Sequence, residues 1–332
     1  MREQLTEAYL REVWAMLARH VRPTVFHSTF LLNRALGADV VLASETLQVT
    51  GSFKFRAAYN LLAPVPNQMV ITTSSGNFGQ AVAYACMLLG KRCLVVMPAT
   101  SSRTKQDAIH AYGGQIELLD VAITSRMERI EQLREQFPDA FFAPPYDHYR
   151  VVAGNSSLGK EIFEALCTPR SGPAPGEEAQ PPLDCVVCPI GGGGLISGLI
   201  VARDILAPGV QIIGAEPLLG NDAARSLREG RLVSLDKEPP TLADGTRTLR
   251  LGDLNWEIIR EGVSTIVEVP EDMIVEGVRT LYAHANLKAE PTGALSVGAV
   301  LTRPELFEGK RICCVVSGGN VDADTYARVL RS

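Results

Sequence analysis

Apolar stretches typical of strands and amphipathic stretches typical of helices alternate along most of the chain, with short glycine-rich joints between them. A strand, a crossover helix and a second strand favour parallel pairing, so this order predicts an α/β fold with open, mainly parallel, doubly wound sheets. One alternating run extends from MVITTSSG at residue 69 to ITSRMERIEQLREQF, which ends at residue 137. A second extends from SSLGKEIFEAL at residue 156 to RICCVVSG, which ends at residue 318. The two runs predict two sheets.

The length and charge of the chain limit the kinds of function that it can have. With 332 residues it is long enough for about two domains. A formal net charge of −5 and the lack of any dense Lys/Arg block argue against nucleic acid or an anionic membrane as the main partner. No apolar run approaches the roughly 20 residues needed to span a bilayer, and MREQLTEAYLREVW is too polar for a signal peptide. We therefore expect a cytoplasmic protein that acts on a small molecule.

The seven cysteines form no disulfide framework. Cys185 and Cys188 are spaced like a metal-binding pair, but they fall on a predicted strand, where residues three apart point to opposite faces. We interpret them as core residues, together with Cys313 and Cys314. The segment 168–182 is rich in Pro, Gly and Glu, a composition typical of a surface insertion.

Three glycine-rich corners follow predicted strands, where open α/β sheets bind their ligands. They are SSGN at 74–77, GGGG at 191–194 and SGGN at 317–320. Four glycines before a helix let backbone amides approach a bound group, and the helix N-terminus adds partial positive charge. Because neither a P-loop nor the dinucleotide glycine spacing is present, we interpret GGGG as a cradle for a compact phosphomonoester. The alternative is a tight turn, which needs only one or two glycines.

The other two corners carry weaker signals. At a helix start, the hydroxyls and amides of Ser74, Ser75, Gly76 and Asn77 are suited to a carboxylate, but plain N-capping also explains them. Ser317, at a strand end, offers a neutral donor or acceptor, and a turn is the alternative there.

The decapeptide GSFKFRAAYN, residues 51–60, places Lys54 between two phenylalanines. A lysine with its stem buried and its ammonium group in water would explain this pattern. A desolvated lysine would instead have a lowered pKa and act as a nucleophile. The decapeptide alone leaves both interpretations open.

Four motifs in this order, ETLQVTGSFKFRAA, SSGNFGQA, GGGGL and SGGN, resemble those of the fold-type II pyridoxal-phosphate (PLP) enzymes, specifically the serine/threonine dehydratase and serine racemase group. The resemblance covers nearly the whole chain. It implies a tryptophan synthase β-like fold, with a large PLP-binding domain formed by residues 1–67 and 147–332. Residues 68–146 would form a small domain that grips the substrate.

The resemblance also implies roles for individual residues. Lys54 would form the Schiff base with PLP and remove the substrate α-proton, and Ser75 would be a second acid/base on the opposite face. Ser74, Ser75, Gly76 and Asn77 would bind the substrate carboxylate. The implied cofactor contacts are Phe53, Lys54, Asn77 at the ring hydroxyl, Gly191, Gly192, Gly193, Gly194 and Leu195 at the phosphate, and Ser317 at the ring nitrogen.

AEPLLGNDAARS resembles the divalent cation site of the same family. The implied ligands are Glu216, the carbonyl of Gly220 and Asp222. These hard oxygen ligands suit Mg²⁺ or Ca²⁺. Solvated carboxylates after a strand are the alternative.

We therefore predict a homodimeric PLP-dependent dehydratase (ammonia-lyase) that converts a small β-hydroxy amino acid, such as threonine or serine, to a 2-oxo acid and ammonia. The alternatives are a racemase of the serine racemase type and a catalytically silent PLP- or nucleotide-binding module. Two departures from the family pattern predict a reshaped pocket that prefers a substrate other than L-serine. Phe78 replaces a histidine, and AGNSSLG at 153–159 replaces AGQGT in what we interpret as a loop, with Asn155 to Ser157 altering it.

Overall fold

The structure, a computed structural model, describes residues 1–74, 76–120, 126–167 and 182–331. Within these ranges the backbone forms ten strands and thirteen α-helices. The strands are β1 (Val25–His27), β2 (Asp39–Ser44), β3 (Met69–Thr73), β4 (Arg92–Pro98), β5 (Gln115–Leu119), β6 (Phe141–Phe142), β7 (Cys185–Pro189), β8 (Gln211–Pro217), β9 (Thr265–Val269) and β10 (Arg311–Val316).

The helices lie between and around these strands. They are α1 (Glu7–Leu17), α2 (Phe30–Leu36), α3 (Lys54–Leu62), α4 (Asn77–Leu88), α5 (Arg103–Ala111), α6 (Arg126–Gln136), α7 (Tyr149–Cys167), α8 (Gly194–Leu206), α9 (Asp222–Glu229), α10 (Asp253–Gly262), α11 (Glu271–Ala285), α12 (Pro291–Thr302) and α13 (Ala323–Arg331). Among the helices of the described ranges, none combines the length and apolar character that crossing a bilayer requires.

The strands form two sheets, which confirms the α/β prediction. The six-stranded sheet has the order β1-β2-β10-β7-β8-β9, and every neighbouring pair is parallel except β1 with β2. The four-stranded sheet, β5-β4-β3-β6, is parallel throughout. Parallel strands end at a common edge, so the glycine-rich corners after β3, β7 and β10 lie at the carboxyl edges of the two sheets, where ligands bind in this fold class.

The central strands β7 and β10 are buried along their whole length. Both faces of a parallel sheet are covered by helices, which explains why their sequences, CVVCP and RICCVV, are almost continuously apolar. Cys188 and Cys313 belong to one hydrophobic cluster, whereas Cys185 and Cys314 belong to the other. The prediction that Cys185 and Cys188 point to opposite faces is therefore confirmed.

The interpretation of Asn155 to Ser157 as part of a loop is wrong, because these residues lie inside α7. The helix is packed closely against α3, where a Cβ on Gly154 would lie 2.5 Å from the carbonyl oxygen of Arg56. Ser156 Oγ accepts a hydrogen bond from Trp14 Nε1 at 2.8 Å, and Ser157 Oγ accepts one from Arg56 Nη1 at 3.1 Å. The small polar residues of AGNSSLG thus serve helix packing.

Two organisational predictions are not settled by this architecture. The surface insertion predicted at 168–182 lies outside the described residues, apart from Pro182. The division into a large domain, 1–67 with 147–332, and a small domain, 68–146, stays a proposal.

Candidate active site

One pocket brings together the decapeptide and all three glycine-rich corners. The predicted site residues that line it are Phe53, Lys54, Ser74, Gly76, Asn77, Gly191, Gly192, Gly193, Gly194, Leu195 and Ser317. Ser75 lies outside the described residues, so its predicted role stays a prediction. Phe78 also lines the pocket, whereas Asn155, Ser156 and Ser157 are not among the lining residues. Of the two departures from the family pattern, only Phe78 lines this pocket.

Lys54 is the first residue of α3 and lies among aromatic rings. Its Nζ lies 5.0 Å from the centroid of the Phe53 ring and 5.7 Å from that of Phe78. Desolvation lowers the pKa of Lys54 to about 8, and the negative charge of Glu290 opposes this shift. A larger fraction of this amine is therefore neutral near physiological pH than for a surface lysine, as a nucleophile or base requires.

Arg56, one half-turn after Lys54, fixes the position of α3. Its guanidinium is fully buried and forms ion pairs with Glu45 at 2.8 Å and with Glu161 at 2.7 Å. It also donates to Thr24 Oγ1 at 3.0 Å. These contacts join α3 to the end of β2 and to α7, so the helix that presents Lys54 is held by buried charges.

The residues 191–194 form a cradle of bare backbone amides. Within the described residues, no hydrogen bond is donated by the N–H groups of these four glycines. The carbonyl of Gly192 is instead fixed by Asn255 Nδ2 at 2.7 Å and by the N–H of Gly252 at 3.1 Å. Gly193 has φ +90°, and a Cβ on Gly192 would overlap the Tyr146 ring. Glycine is therefore required here, and the free amides before α8 fit a phosphate group.

The Ser74 hydroxyl caps the start of α4, although the N-cap position itself is occupied by Gly76. Its Oγ accepts hydrogen bonds from the N–H group of Gly76 at 3.1 Å and from that of Gly79, in the first turn of α4, at 3.0 Å. The N-capping interpretation therefore accounts for Ser74 in this structure. The predicted binding of a substrate carboxylate by Ser74, Gly76 and Asn77 stays a prediction.

A buried polar network, which the sequence did not reveal, forms part of the pocket wall. Asn77 Nδ2 donates to Glu290 Oε1 at 2.5 Å, and Lys105 Nζ lies 3.5 Å from Glu290 Oε2 and 2.6 Å from Asp244 Oδ2. Burial raises the pKa of Glu290 to about 7, although Lys105 opposes this. Burial alone would lower the pKa of Lys105, but Glu290 and Asp244 hold it above its ordinary value. These residues come from distant segments, so local patterns do not predict their contact.

Two of the predicted cation ligands, Glu216 near the end of β8 and Asp222 at the start of α9, lie close enough for their charges to interact. Glu216 accepts from the N–H groups of Ala223 and Ala224, both at 2.9 Å, in the first turn of α9. Burial raises the pKa of Asp222 to about 7. Burial, and next the charge of Asp222, raise the pKa of Glu216.

The fit of this group to a cation rests on a buried carboxylate oxygen, Asp222 Oδ2, that has no hydrogen-bond partner among the described residues. Clusters of three or more His, Cys, Asp or Glu side chains suited to a metal are absent from the described ranges, but the predicted third ligand is the carbonyl of Gly220. Two buried carboxylates and a carbonyl fit a hard cation. The metal itself stays a prediction.

Comparisons with known proteins identify the family and the fold of the chain. Residues 17–318 match the family model described as "Pyridoxal-phosphate dependent enzyme". The chain is 35% identical over 309 residues to the beta-hydroxyaspartate dehydratase of Paracoccus denitrificans, covering 92% of this chain and 93% of the relative. It is 35% identical over 312 residues to the serine racemase of Schizosaccharomyces pombe, covering 93% and 91%. The structure of maize serine racemase superposes with a TM-score of 0.86 at 30% identity, covering 97% of this chain and 95% of that one.

Proposed function

The chain belongs to the pyridoxal-phosphate dependent enzymes, and from this premise we propose that it is a dehydratase (ammonia-lyase) converting a small β-hydroxy amino acid to a 2-oxo acid and ammonia. The family has lyase and racemase members, and the fold is that of its fold-type II enzymes. One observation supports the proposal most strongly: a lysine amine of lowered pKa and a cradle of free amides line the same pocket.

The residues present fit the cofactor. Gly191 to Gly194, with Leu195, would hold its phosphate, and Lys54 would bind its aldehyde carbon. Asn77 would contact the ring hydroxyl and Ser317 the ring nitrogen. Bound there, the cofactor would supply an electron sink for the substrate α-carbon.

The chain's own residues supply the remaining chemistry. The Lys54 amine, once displaced by substrate, would take the α-proton, a task suited to a base whose pKa is close to the working pH. Ser317 carries no charge, so it would not keep a proton on the ring nitrogen as a carboxylate does. A moderated electron sink favours prompt loss of a β-hydroxyl over a long-lived carbanion.

Racemisation is the second candidate, because the Schizosaccharomyces pombe serine racemase is as similar to the chain as the dehydratase. Chiral analysis of the remaining substrate separates the two reactions. We expect 2-oxo acid to form faster than the opposite enantiomer. The reverse order would contradict the dehydratase proposal.

We expect L-serine not to be the preferred substrate, since Phe78 places an apolar ring where the family has an imidazole. Arg247 supplies a second reason. Its Nε and Nη2 donate to the Thr241 carbonyl at 3.0 and 2.6 Å, and it has no ion pair with a carboxylate of the described residues. This pocket-lining guanidinium is suited to a second substrate carboxylate.

The prediction is checked by measuring 2-oxo acid release from L-serine, threonine, 3-hydroxyaspartate and bulkier β-hydroxy amino acids. We expect kcat/KM for 3-hydroxyaspartate or threonine to exceed that for L-serine by about tenfold, the scale of one well-placed pocket contact. Arg247→Gln should lower kcat/KM for 3-hydroxyaspartate more than for threonine. If L-serine has the highest kcat/KM, the Phe78 substitution does not determine specificity.

We also propose that Glu216, Gly220 and Asp222 bind Mg²⁺ or Ca²⁺. A cation that binds only the folded state stabilises it by mass action, by about 2.7 kcal/mol at 100 times Kd. The melting temperature should therefore be lower in a chelator than in excess Mg²⁺ or Ca²⁺, and Asp222→Asn should remove this difference.

Glu268→Gln provides a matched control for the cation site. Glu268 is a neighbouring carboxylate that is already paired, with Arg228 and with Asn221 Nδ2 at 2.6 Å. This variant should keep the response to chelator. Equal melting temperatures of the unmodified protein in chelator and in cation would show that the carboxylates bind none.

The homodimer is likewise a proposal. Light scattering on the purified protein measures it directly, and a mass near the 35.8 kDa of one chain would contradict it.

A further inference from the structure

Glu290 occupies the N-cap position of α12 but makes no capping hydrogen bond to its own helix. Its side chain points instead to Asn77, whose Nδ2 donates to Glu290 Oε1 at 2.5 Å. Glu290 is 1% exposed, so this carboxylate has been removed from water for a contact with a distant segment. Burial of a carboxylate is unfavourable unless it is paired and hydrogen-bonded. The ion pair with Lys105, at 3.5 Å, supplies the compensating charge.

The other end of the Asn77 amide is fixed as well. Asn77 Oδ1 accepts a hydrogen bond from Asn320 Nδ2 at 2.9 Å. The same Asn320 Nδ2 donates to the carbonyl of Thr50 at 2.8 Å. A backbone carbonyl only accepts, so the contact with Thr50 determines which end of the Asn320 amide is the donor.

Together these contacts determine the orientation of the Asn77 amide. An isolated asparagine presents either oxygen or nitrogen to a ligand, and its orientation follows from its partners. Asn320 Nδ2 is the donor, so it requires the oxygen of Asn77 on its side. The nitrogen of Asn77 therefore lies on the other side, where Glu290 Oε1 accepts its hydrogen bond. The Asn77 nitrogen carries two N–H groups, and Glu290 uses one of them. The second is left for the pocket that Asn77 lines.

We propose that Glu290 and Asn320 are positioning residues that fix the Asn77 amide, so that its second N–H donates to the ring oxygen of the bound cofactor. This inference rests on the proposed function, which places the cofactor in the pocket. An N–H donor stabilises the ionised form of the ring oxygen. The imine that the cofactor forms with a lysine absorbs visible light when the ring oxygen is ionised, and near-ultraviolet light when that oxygen keeps its proton. The ratio of the two absorbances reports on the hydrogen bond without any turnover.

The first test is the isosteric substitution Glu290→Gln in the cofactor-loaded protein. A glutamine side chain both donates and accepts, so Glu290→Gln removes one of the two constraints on the Asn77 amide. A fraction of the Asn77 amide can then reverse and present its oxygen to the ring oxygen, against the remaining contact with Asn320. We expect the ratio of visible to near-ultraviolet absorbance to fall about two- to tenfold, the range that one hydrogen bond supports. Charge alone predicts the opposite sign, because removing a nearby negative charge favours an ionised ring oxygen. An unchanged or increased ratio would overturn the proposal.

The second test is Asn320→Ala, which removes the constraint at the other end of Asn77. It leaves the net charge unchanged, so a fall in the same ratio would not come from a change of charge. Asp244→Asn is the matched control for Glu290→Gln. It removes a carboxylate that also pairs with Lys105, at 2.6 Å, but that makes no hydrogen bond to Asn77. Because removing its charge favours an ionised ring oxygen, we expect Asp244→Asn to keep or raise the ratio of the unmodified protein and not to lower it.

Measuring cofactor loading distinguishes a failure of the positioning proposal from a failure of the proposed function. The phosphate cradle is not altered by these substitutions, so a Glu290→Gln protein that does not bind the cofactor at saturating concentration would also overturn the proposal. If the unmodified protein acquires no visible absorbance on loading, the proposed function itself is wrong. If it acquires this absorbance and Asn320→Ala keeps the same ratio, only the positioning role is wrong.

Discussion

Lys54→Ala is expected to abolish turnover, lowering kcat by at least about a thousandfold, because one side chain would supply both the covalent attachment of the cofactor and the base for the α-proton. The visible absorbance of the bound cofactor should disappear with it. The free amides of residues 191–194 are unchanged, so weak, non-covalent binding of the cofactor should remain. These three results together would assign the amine to Lys54.

The fold is expected to tolerate this substitution. Lys54 makes no ion pair within the described residues, and burial lowers its pKa to about 8, which shows that the charged form is disfavoured at this position. Far-ultraviolet circular dichroism and the melting temperature of the cofactor-free protein should be close to those of the unmodified chain. Lys160→Ala is the matched control, since Lys160 pairs with Glu164 on the surface of α7 at 2.7 Å. Retained turnover in Lys54→Ala would refute the assignment.

The central strands were predictable because their signal is local. β7 and β10 are continuous apolar runs followed by glycine, and burial on both faces permits hardly any other composition. Their adjacency in the sheet was not predictable from pattern, because the pairing of Cys313 with Val186 joins segments distant in the chain. β9, with sequence TIVEV, has only a weak sequence signal, because its half-buried alternation covers five residues.

α7 shows where local reasoning failed. Its first half contains glycine, asparagine and two serines. These residues have low helix propensity, and such a composition is typical of a loop. Tertiary packing overrides this preference. The small side chains allow α7 to approach α3 and α8 closely, and the serine hydroxyls bind Trp14 and Arg56.

The residues of the candidate site also fall into two groups, those that a local motif predicts and those that only the fold brings together. Lys54, the glycine cradle and Ser317 each lie in a short motif whose chemistry is visible in a few residues. Lys105 and Glu290 do not, because an isolated charged residue in a polar helix, or before a proline, usually lies in solvent. Their function depends on a contact between separate segments, and only the folded chain brings them together.

Arg56→Ala is expected to have the largest effect on stability, lowering the free energy of unfolding by about 3–5 kcal/mol, the usual cost of removing one partner from a buried ion pair. The Arg56 Nε and Nη2 atoms donate to the two oxygens of Glu45 at 2.8 and 2.9 Å, and both side chains are fully buried. Alanine would leave the Glu45 carboxylate without this charge partner. Urea denaturation of the cofactor-free protein measures the difference.

The pH dependence of stability and a double variant test whether the lower stability of Arg56→Ala comes from the lost ion pairs or from the cavity that alanine leaves. Burial tends to raise the pKa of Glu161, but the charge of Arg56 outweighs this and holds that pKa below the ordinary 4.5. A carboxyl whose pKa is lowered by folding contributes stability above its unfolded pKa and loses it as the pH falls. The advantage of the unmodified protein over Arg56→Ala should therefore shrink below pH 4.5. Glu45→Gln/Arg56→Met removes the charges of the fully buried pair and refills the space, but it leaves Glu161 without its partner. It should therefore recover part of the loss at neutral pH, since apolar replacements of buried pairs are often neutral. A loss that is the same at every pH and persists in the double variant would show that packing, not the ion pair, holds α3 in place.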